Sequence, residues 1–314
     1  MVGVGASARC CTDSVEVLVF EPLADRSITL ADGRCLAFAE WGDLGGPVVV
    51  FFHGTPHSRL WCPDITATQA SGVHLVTVDR PGYGRSDPPP PDLSLRGWTD
   101  DVSQLADALH ADRIGVVGWS GGALSATACA AVIPDRLSGA GESGGAGWPV
   151  DEQPGVLDGL DEDDRRVYEF ARTDRTEAVR LAEELATGWI TEYQDRPEAA
   201  MDGHTVPQDV RYFEDPAWAA NFYQAVRESV RQGPCGYAWE AVAGFSSWGF
   251  ALEDITMPFH LWHGAHDPLE ELGSVEYWDS RIPGAEVTVC AGSGHFAVSD
   301  HWSEILASVV GDVP

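Results

Sequence analysis

Continuous apolar runs, separated by longer stretches, are the feature that most restricts how this chain can fold. Four such runs lack apolar–polar alternation: Pro47–Phe52, Val73–Val78, Arg113–Trp119 and Pro258–His263. Runs of this kind are typical of strands buried on both faces of a mostly parallel sheet. Further strands are predicted at Val15–Phe20, at Arg34–Glu40 after the Asp32-Gly33 turn, at Leu137–Gly141 and at Ala285–Cys290.

Helix candidates lie between these strands. They cover Leu60–Ala70, Gly97–Ala108, Gly121–Val132, Glu270–Ser280 and His301–Val310. The alternation of strand and helix predicts a doubly wound α/β fold with a mostly parallel sheet.

Residues 148–247 interrupt this alternation. Apolar residues recur there at helical steps, in the sets Val167/Phe170/Ala171, Ala178/Val179/Ala182/Leu185 and Trp218/Phe222/Val226. Asp151 to Pro216 holds nineteen acidic residues and seven arginines, yet Trp148 to Phe250 holds fifteen aromatic residues. We therefore expect an α/β core of residues 1–147 and 248–314, with a helical lid inserted after the sixth strand. A helical layer that only completes the core is the alternative.

The charge of the chain excludes several function classes. It has 49 acidic and 19 basic residues, for a formal net charge of -30, and all of the bases are arginine. Without lysine it can form neither a P-loop nor a Schiff base with pyridoxal phosphate. The negative charge would repel nucleic-acid phosphates and anionic membranes, so we expect neither as a partner. Most of the acidity is typical of a solvated surface.

The cysteines and apolar runs indicate a cytoplasmic protein. There are seven cysteines and no C-x-x-C, which argues against a disulfide framework or a zinc site. Cys10 and Cys11 are expected in a frayed N-terminal segment. No run is long enough to span a bilayer, and we expect no signal peptide.

Two segments match G-x-S-x-G, and their surroundings distinguish them. Ser120 follows the strand ending at Trp119 and precedes a small-residue run able to form a helix. Strand, sharp turn and helix are what a nucleophile elbow requires, because the turn exposes the serine Oγ at the end of the strand. Ser143 follows a weaker strand and precedes Gly-Ala-Gly-Trp-Pro, so we expect a loop serine there.

A serine nucleophile needs a base, an acid that orients the base, and oxyanion donors. His295 follows the last predicted strand and Asp267 follows the preceding one, which gives the order Ser, Asp, His along the chain. His266 is a weaker candidate for the base. The oxyanion donors are predicted to be the backbone N–H groups of Gly121 and Thr55. His53 is expected to hold this turn by hydrogen bonds, and the remaining histidines are expected on the surface or in the core.

These pieces together resemble the α/β-hydrolase superfamily, in the order typical of that family. The matching segments are Asp32-Gly33-Arg34, His53-Gly54-Thr55-Pro56, Asp79–Ser86, Gly118–Gly122, His263–Asp267 and Gly294-His295-Phe296. The resemblance implies the fold and the triad, and a structural role for the Asp79–Ser86 loop, with no catalytic role for Arg80. Some members take the acid from after the sixth strand, where Glu142 is the alternative acid.

The motifs of this chain differ from those of several known branches of the superfamily, and these differences bear on which substrate it accepts. Proline iminopeptidases have H-G-G-P-G and G-G-S-W-G, whereas this chain has His-Gly-Thr-Pro-His and Gly-Trp-Ser-Gly-Gly. Epoxide hydrolases and haloalkane dehalogenases carry Asp at the elbow, where Ser120 stands here. Hydroxynitrile lyases of this fold use a lysine, which this chain lacks.

The sequence predicts a serine hydrolase without a cofactor or metal, acting on a small, largely apolar ester, lactone or related acyl compound. The same triad could instead perform elimination, acyl transfer or C–C cleavage in natural-product metabolism. An aminopeptidase with an acidic lid and a non-catalytic ligand-binding protein are further alternatives.

Overall fold

Eight strands determine where the predicted site residues lie. A computed structural model describes residues 21–145, 149–150, 152–153 and 155–311. The predicted strand Val15–Phe20, Cys10, Cys11 and the predicted lid boundary at residue 148 lie outside the described residues. The strands are β1 Ala24–Thr29, β2 Cys35–Gly42, β3 Val48–Phe52, β4 His74–Val78, β5 Ile114–Trp119, β6 Leu137–Ser143, β7 Phe259–Gly264 and β8 Ala285–Cys290.

The strands form one mostly parallel sheet in the order β1-β2-β4-β3-β5-β6-β7-β8. Only β1 with β2 and β2 with β4 pair in antiparallel fashion. The predicted α/β class is confirmed, and each strand predicted within the described residues is found with ends shifted by at most two positions. β1 was not predicted, because it is an edge strand of sequence ADRSIT whose side chains are mostly exposed.

Helices cover both faces of this sheet. They are α1 Ile65–Ser71, α2 Leu95–Ala108 and α3 Ala123–Val132 before the insertion described next, and α10 Leu272–Arg281, α11 Ala297–Asp300 and α12 Trp302–Val309 after it. α1 begins five residues later than predicted. Pro63 disfavours helical geometry in the preceding residue, and Asp64 caps the helix by accepting the Ala67 N–H at 2.9 Å.

Among the described residues, six α-helices lie between β6 and β7, and we call residues 156–245 the helical insertion. They are α4 Val156–Gly159, α5 Glu162–Thr173, α6 Arg175–Asp195, α7 Pro207–Glu214, α8 Pro216–Ser229 and α9 Cys235–Phe245. The three predicted apolar sets fall in α5, α6 and α8. α9 escaped prediction because eight of its eleven residues are buried, which leaves no amphipathic period. The division into a core and a lid domain remains a prediction.

The helical insertion packs in two ways. α5, α6 and α9 share an apolar cluster that includes Val167, Leu181 and Val242. α8 instead places Phe222 and Val226 among aromatic residues of the core. The insertion therefore contacts the core close to the end of β5. No helix in the described part of the chain is long and apolar enough to cross a membrane.

Candidate active site

Ser120 lies on a sharp turn between β5 and α3. Its φ is +52°, which is rare for a residue with a Cβ and marks local backbone strain of the kind found at functional sites. Gly118 and Gly122 permit this turn. A Cβ on Gly122 would overlap the Phe52 carbonyl oxygen, and one on Gly118 would lie 2.6 Å from the Ala123 Cα. The strand, turn and helix predicted around Ser120 are all present.

His295 and Asp267 come together from the loops that follow β8 and β7. His295 Nδ1 lies 2.8 Å from Asp267 Oδ2, and the two side chains are 5% and 0% exposed. The other oxygen of Asp267 accepts the backbone N–H groups of Leu269 at 2.9 Å and Glu270 at 3.2 Å. These bonds fix the carboxylate, so the imidazole is held in one orientation. His266, the weaker candidate for the base, is exposed.

Burial and charge act in opposite directions on the pair. Burial alone favours a neutral His295, but the charge and hydrogen bond of Asp267, with the charges of Asp209 and Glu270, raise its pKa above the ordinary value. Burial would likewise raise the pKa of Asp267. The charge of His295 and the hydrogen bonds to Asp267 outweigh burial, and the pKa of Asp267 is lowered. The pair is therefore suited to hold a proton on His295 and a charge on Asp267.

Glu142, the alternative acid, and Ser143, the serine of the second G-x-S-x-G segment, both lie at the end of β6. Glu142 Oε2 accepts the Gly145 N–H at 2.8 Å. Burial, with the nearby charges of Glu270 and Asp267, raises the pKa of Glu142 well above its ordinary value. The hydrogen bond to His295 is thus made by Asp267, not by the alternative acid. The prediction of Ser143 as a loop serine is wrong, since it is the fully buried last residue of β6.

The turn after β3 brings the two predicted oxyanion donors together. Thr55 follows His53, whose Nδ1 lies 2.7 Å from the Gly54 carbonyl oxygen, so the predicted role of His53 in holding this turn fits. A Cβ on Gly121 would overlap Thr55 Oγ1, which shows how closely Thr55 and Gly121 approach. The structure therefore places both residues beside Ser120 at one end of the sheet.

Ser120, His295 and Thr55 line a cavity of about 440 Å³ under the helical insertion. Its lining is mostly aromatic and apolar and includes Trp119, Trp189, Tyr193, Met201, Phe222, Val226, Tyr237 and Leu269. No aspartate, glutamate or arginine is among the described residues that line it. A neutral, apolar molecule of moderate size suits such a space.

Two of the remaining histidines line this cavity, and their exposure agrees with the prediction that they lie on the surface or in the core. His57 is fully buried, and its ring packs against the rings of Phe222 at 4.7 Å and Trp61 at 5.0 Å. Burial, together with the charge of Arg80, lowers the pKa of His57 to about 3, so it is a neutral wall of the cavity. His204, an exposed residue of the helical insertion, also lines the cavity.

Two carboxylates of the helical insertion turn inward, and sequence reasoning did not find them. Asp209 of α7 accepts the backbone N–H of His295 at 2.9 Å. Glu240 of α9 accepts the hydroxyl of Thr55 and pairs with Arg80. Neither belongs to a motif. Asp209 shares α7 with the exposed Glu214, and nothing in the sequence separates the two. Glu240 is the only acid of the mostly apolar α9, which is the one signal that could have found it.

Asp209 leads to a prediction about pH dependence. Asp209→Asn keeps a hydrogen-bond acceptor for the His295 N–H but removes one of the charges that raise the pKa of His295. A base must be neutral to act, so activity falls as the pH drops through that pKa. We expect the acidic limb of the kcat/KM profile to move to lower pH.

The control for this prediction is Glu214→Gln, which removes an exposed charge from the same helix and should leave the profile in place. A profile in Asp209→Asn that coincides with the wild type, or that moves to higher pH, would contradict the assigned influence of Asp209 on His295.

Three features define a class of α/β enzyme: an open mostly parallel sheet, a strained serine after β5, and a His–Asp pair at the same edge of the sheet. A family model for the alpha/beta hydrolase fold matches residues 47–301. The chain belongs to the α/β-hydrolase family and is an enzyme of that fold.

Similar proteins differ in activity and in how much of the chain they match. A pimeloyl-[acyl-carrier protein] methyl ester esterase of Aromatoleum aromaticum is 26% identical, over 86% of this chain and 99% of that protein. A non-heme chloroperoxidase of Streptomyces lividans is 32% identical over 36% of this chain, and the match spans only 41% of the chloroperoxidase. The crystal structure of epoxide hydrolase VrEH1 from Vigna radiata superposes with a TM-score of 0.66, at 20% identity, over 90% of this chain and 97% of that one. A similarity this distant shows the fold alone.

Proposed function

We propose that this protein is a serine hydrolase that cleaves a neutral carboxylic ester, lactone or related acyl compound without a cofactor. The observation that carries the proposal is the 2.8 Å contact between His295 Nδ1 and Asp267, beside a cavity that both His295 and Ser120 line. A strained serine, a buried base and a fixed acid are the groups that acyl transfer through a covalent intermediate requires.

In the proposed reaction Ser120 Oγ attacks the carbonyl carbon while its proton passes to His295 Nε2. Asp267 accepts the Nδ1–H and stabilises the imidazolium. The N–H groups of Thr55 and Gly121 bind the oxyanion. As the tetrahedral intermediate collapses, the leaving alkoxide takes the proton from His295. Water, deprotonated by His295, then attacks the acyl-enzyme. As this second tetrahedral intermediate collapses, Ser120 Oγ takes the proton back from His295 and the carboxylic acid is released.

The cavity supports a neutral and apolar substrate. No described aspartate, glutamate or arginine lines it, His57 stays neutral, and the surrounding rings offer flat apolar surfaces. A carboxylate on the substrate would lose its hydration in this space without gaining a partner. An ammonium group would also find no carboxylate among the described lining residues, which weighs against an aminopeptidase. We propose that the helical insertion acts as the lid of this cavity.

The test is a panel of neutral aryl and alkyl esters and lactones, each matched with an analogue that carries a carboxylate on the acyl chain. We expect kcat/KM to be at least about tenfold higher for the neutral member, because burying an unpaired charge is costly. The reactions are run in ¹⁸O-labelled water, and mass spectrometry reads the acid product.

Solvent oxygen in the acid supports hydrolysis by acyl–oxygen cleavage. Its absence from the acid would instead indicate cleavage of the alkyl–oxygen bond, with an alkene as the second product if the reaction is an elimination. Transfer of the acyl group to an added alcohol in preference to water would indicate an acyltransferase. Turnover of amino-acid arylamides in preference to esters would restore the aminopeptidase alternative and overturn the proposal.

A further inference from the structure

One carboxylate of the helical insertion contacts three side chains of the core behind the predicted oxyanion donors. Glu240 of α9 accepts the hydroxyl of Thr55 on Oε1, and its Oε2 pairs with Arg80 Nη1. The Tyr83 hydroxyl donates to Oε2 at 3.0 Å. The Arg80 and Glu240 side chains are 1% and 8% exposed. A buried arginine charge needs such a counter-charge, because water cannot solvate it.

Arg80 connects this carboxylate to the peptide that carries the Thr55 N–H. Its Nη2 donates to the Gly54 carbonyl oxygen at 3.1 Å and to Thr55 Oγ1 at 3.1 Å. In a planar trans peptide the C=O and the following N–H point in opposite directions. A guanidinium that holds the Gly54 carbonyl therefore also fixes the direction of the Thr55 N–H.

The same network touches the second predicted donor. A Cβ on Gly121 would overlap both Glu240 Oε1 and Thr55 Oγ1, so the carboxylate lies directly against this glycine. Arg80 Nη1 also approaches the Gly121 carbonyl oxygen at 3.4 Å. Glu240 and Arg80 thus contact both residues whose N–H groups would bind the oxyanion.

We infer that Glu240 is a positioning residue for the oxyanion site. It balances Arg80 and holds the Thr55 hydroxyl, and through them it sets the direction of the Thr55 N–H. Because Glu240 belongs to α9, the oxyanion site is complete only with this part of the helical insertion in place. The inference rests on the proposed function, since it assigns a role within acyl transfer.

The first experiment compares two isosteric substitutions in the helical insertion. Glu240→Gln keeps the volume and some hydrogen bonds but removes the charge that holds Arg80. We expect kcat to fall by about tenfold to a hundredfold while KM changes by less than about threefold, because an oxyanion donor acts in the transition state. The matched control is Glu228→Gln, since Glu228 pairs with another buried arginine, Arg59, at 2.8 Å.

Glu228→Gln should keep kcat within about twofold of the wild type, since the contacts of Arg59 do not reach the oxyanion donors. An aryl boronic acid adds a readout for the tetrahedral state. Its inhibition constant should rise in Glu240→Gln in proportion to the loss of kcat/KM. Thermal unfolding of both variants identifies any general loss of folding.

A double-mutant cycle tests the connection through Thr55. Thr55→Val removes the hydroxyl but keeps the N–H, and Thr55→Ser restores a hydroxyl. We expect Thr55→Ser to keep most of the activity, and the losses from Glu240→Gln and Thr55→Val to be less than additive, because both break the same network.

Three results would overturn the inference: fully additive losses, an unchanged or raised kcat in Glu240→Gln, or a change in KM alone. The proposed function would still stand in each case, provided that the wild type hydrolyses esters. If the wild type neither hydrolyses any ester of the panel nor reacts covalently at Ser120, the proposed function itself fails, and the role of Glu240 fails with it.

Discussion

Replacing Ser120 with alanine is expected to lower kcat on the best ester by about four orders of magnitude or more. The substitution removes the only atom that would form the acyl-enzyme, while His295 and Asp267 keep their contact. It should also abolish covalent labelling by a fluorophosphonate, which reacts with an activated serine. Steady-state kinetics and mass spectrometry of the intact protein measure the two effects independently.

Ser143→Ala is the matched control, because Ser143 lies in the second G-x-S-x-G segment and its hydroxyl is buried. It should label and turn over like the wild type. Turnover and labelling that persist in Ser120→Ala, or that disappear in Ser143→Ala, would show that the nucleophile is assigned to the wrong serine.

The strands that carry the site were predictable because each depends on a local signal. A strand buried on both faces is mostly apolar, and β3, β4, β5 and β7 fit this condition, although β4 and β7 also contain His or Thr residues. Turn residues then mark where each strand ends. Since the carboxyl ends of neighbouring parallel strands meet at one edge, Ser120, Asp267 and His295 could be expected there together.

The parts that were missed depend on partners far away in sequence. β1 is a strand because β2 pairs with it, although most of its own side chains are polar. His57 lines the cavity because the ring of Phe222, 165 positions later in the sequence, packs against its imidazole. No pattern of neighbouring residues in the sequence could predict the pairing of β1 with β2 or the contact between His57 and Phe222.

The acidity of the helical insertion shows the same limit. Its many carboxylates indicate a solvated outer surface, and most of them are exposed. Asp209 and Glu240 are buried instead, because the fold directs them at the His295 N–H and at Arg80. Composition predicts the average environment of such residues, whereas their individual directions follow from how α7 and α9 pack on the core.

Asp267→Asn should have the second largest effect, a loss of about 10⁴-fold in kcat. An amide cannot carry the charge that stabilises the imidazolium, and its NH₂ group can favour the tautomer of His295 with Nδ1 unprotonated. That tautomer keeps its proton on Nε2 and cannot accept one from Ser120. The pKa of His295 should fall as well, because Asp267 is the main group that raises it against burial. The acidic limb of the residual activity should therefore move to lower pH.

Glu142→Gln separates the two candidate acids. Burial and two neighbouring carboxylates hold Glu142 toward its protonated form, which glutamine imitates in shape and charge. Its kcat should stay within about threefold of the wild type, since neither the charge at His295 nor the volume of the buried site changes. A large loss in Glu142→Gln together with a small one in Asp267→Asn would assign the acid to the end of β6. Equal losses would mean that the two carboxyl groups act as a coupled pair, since the charge of Asp267 acts on Glu142.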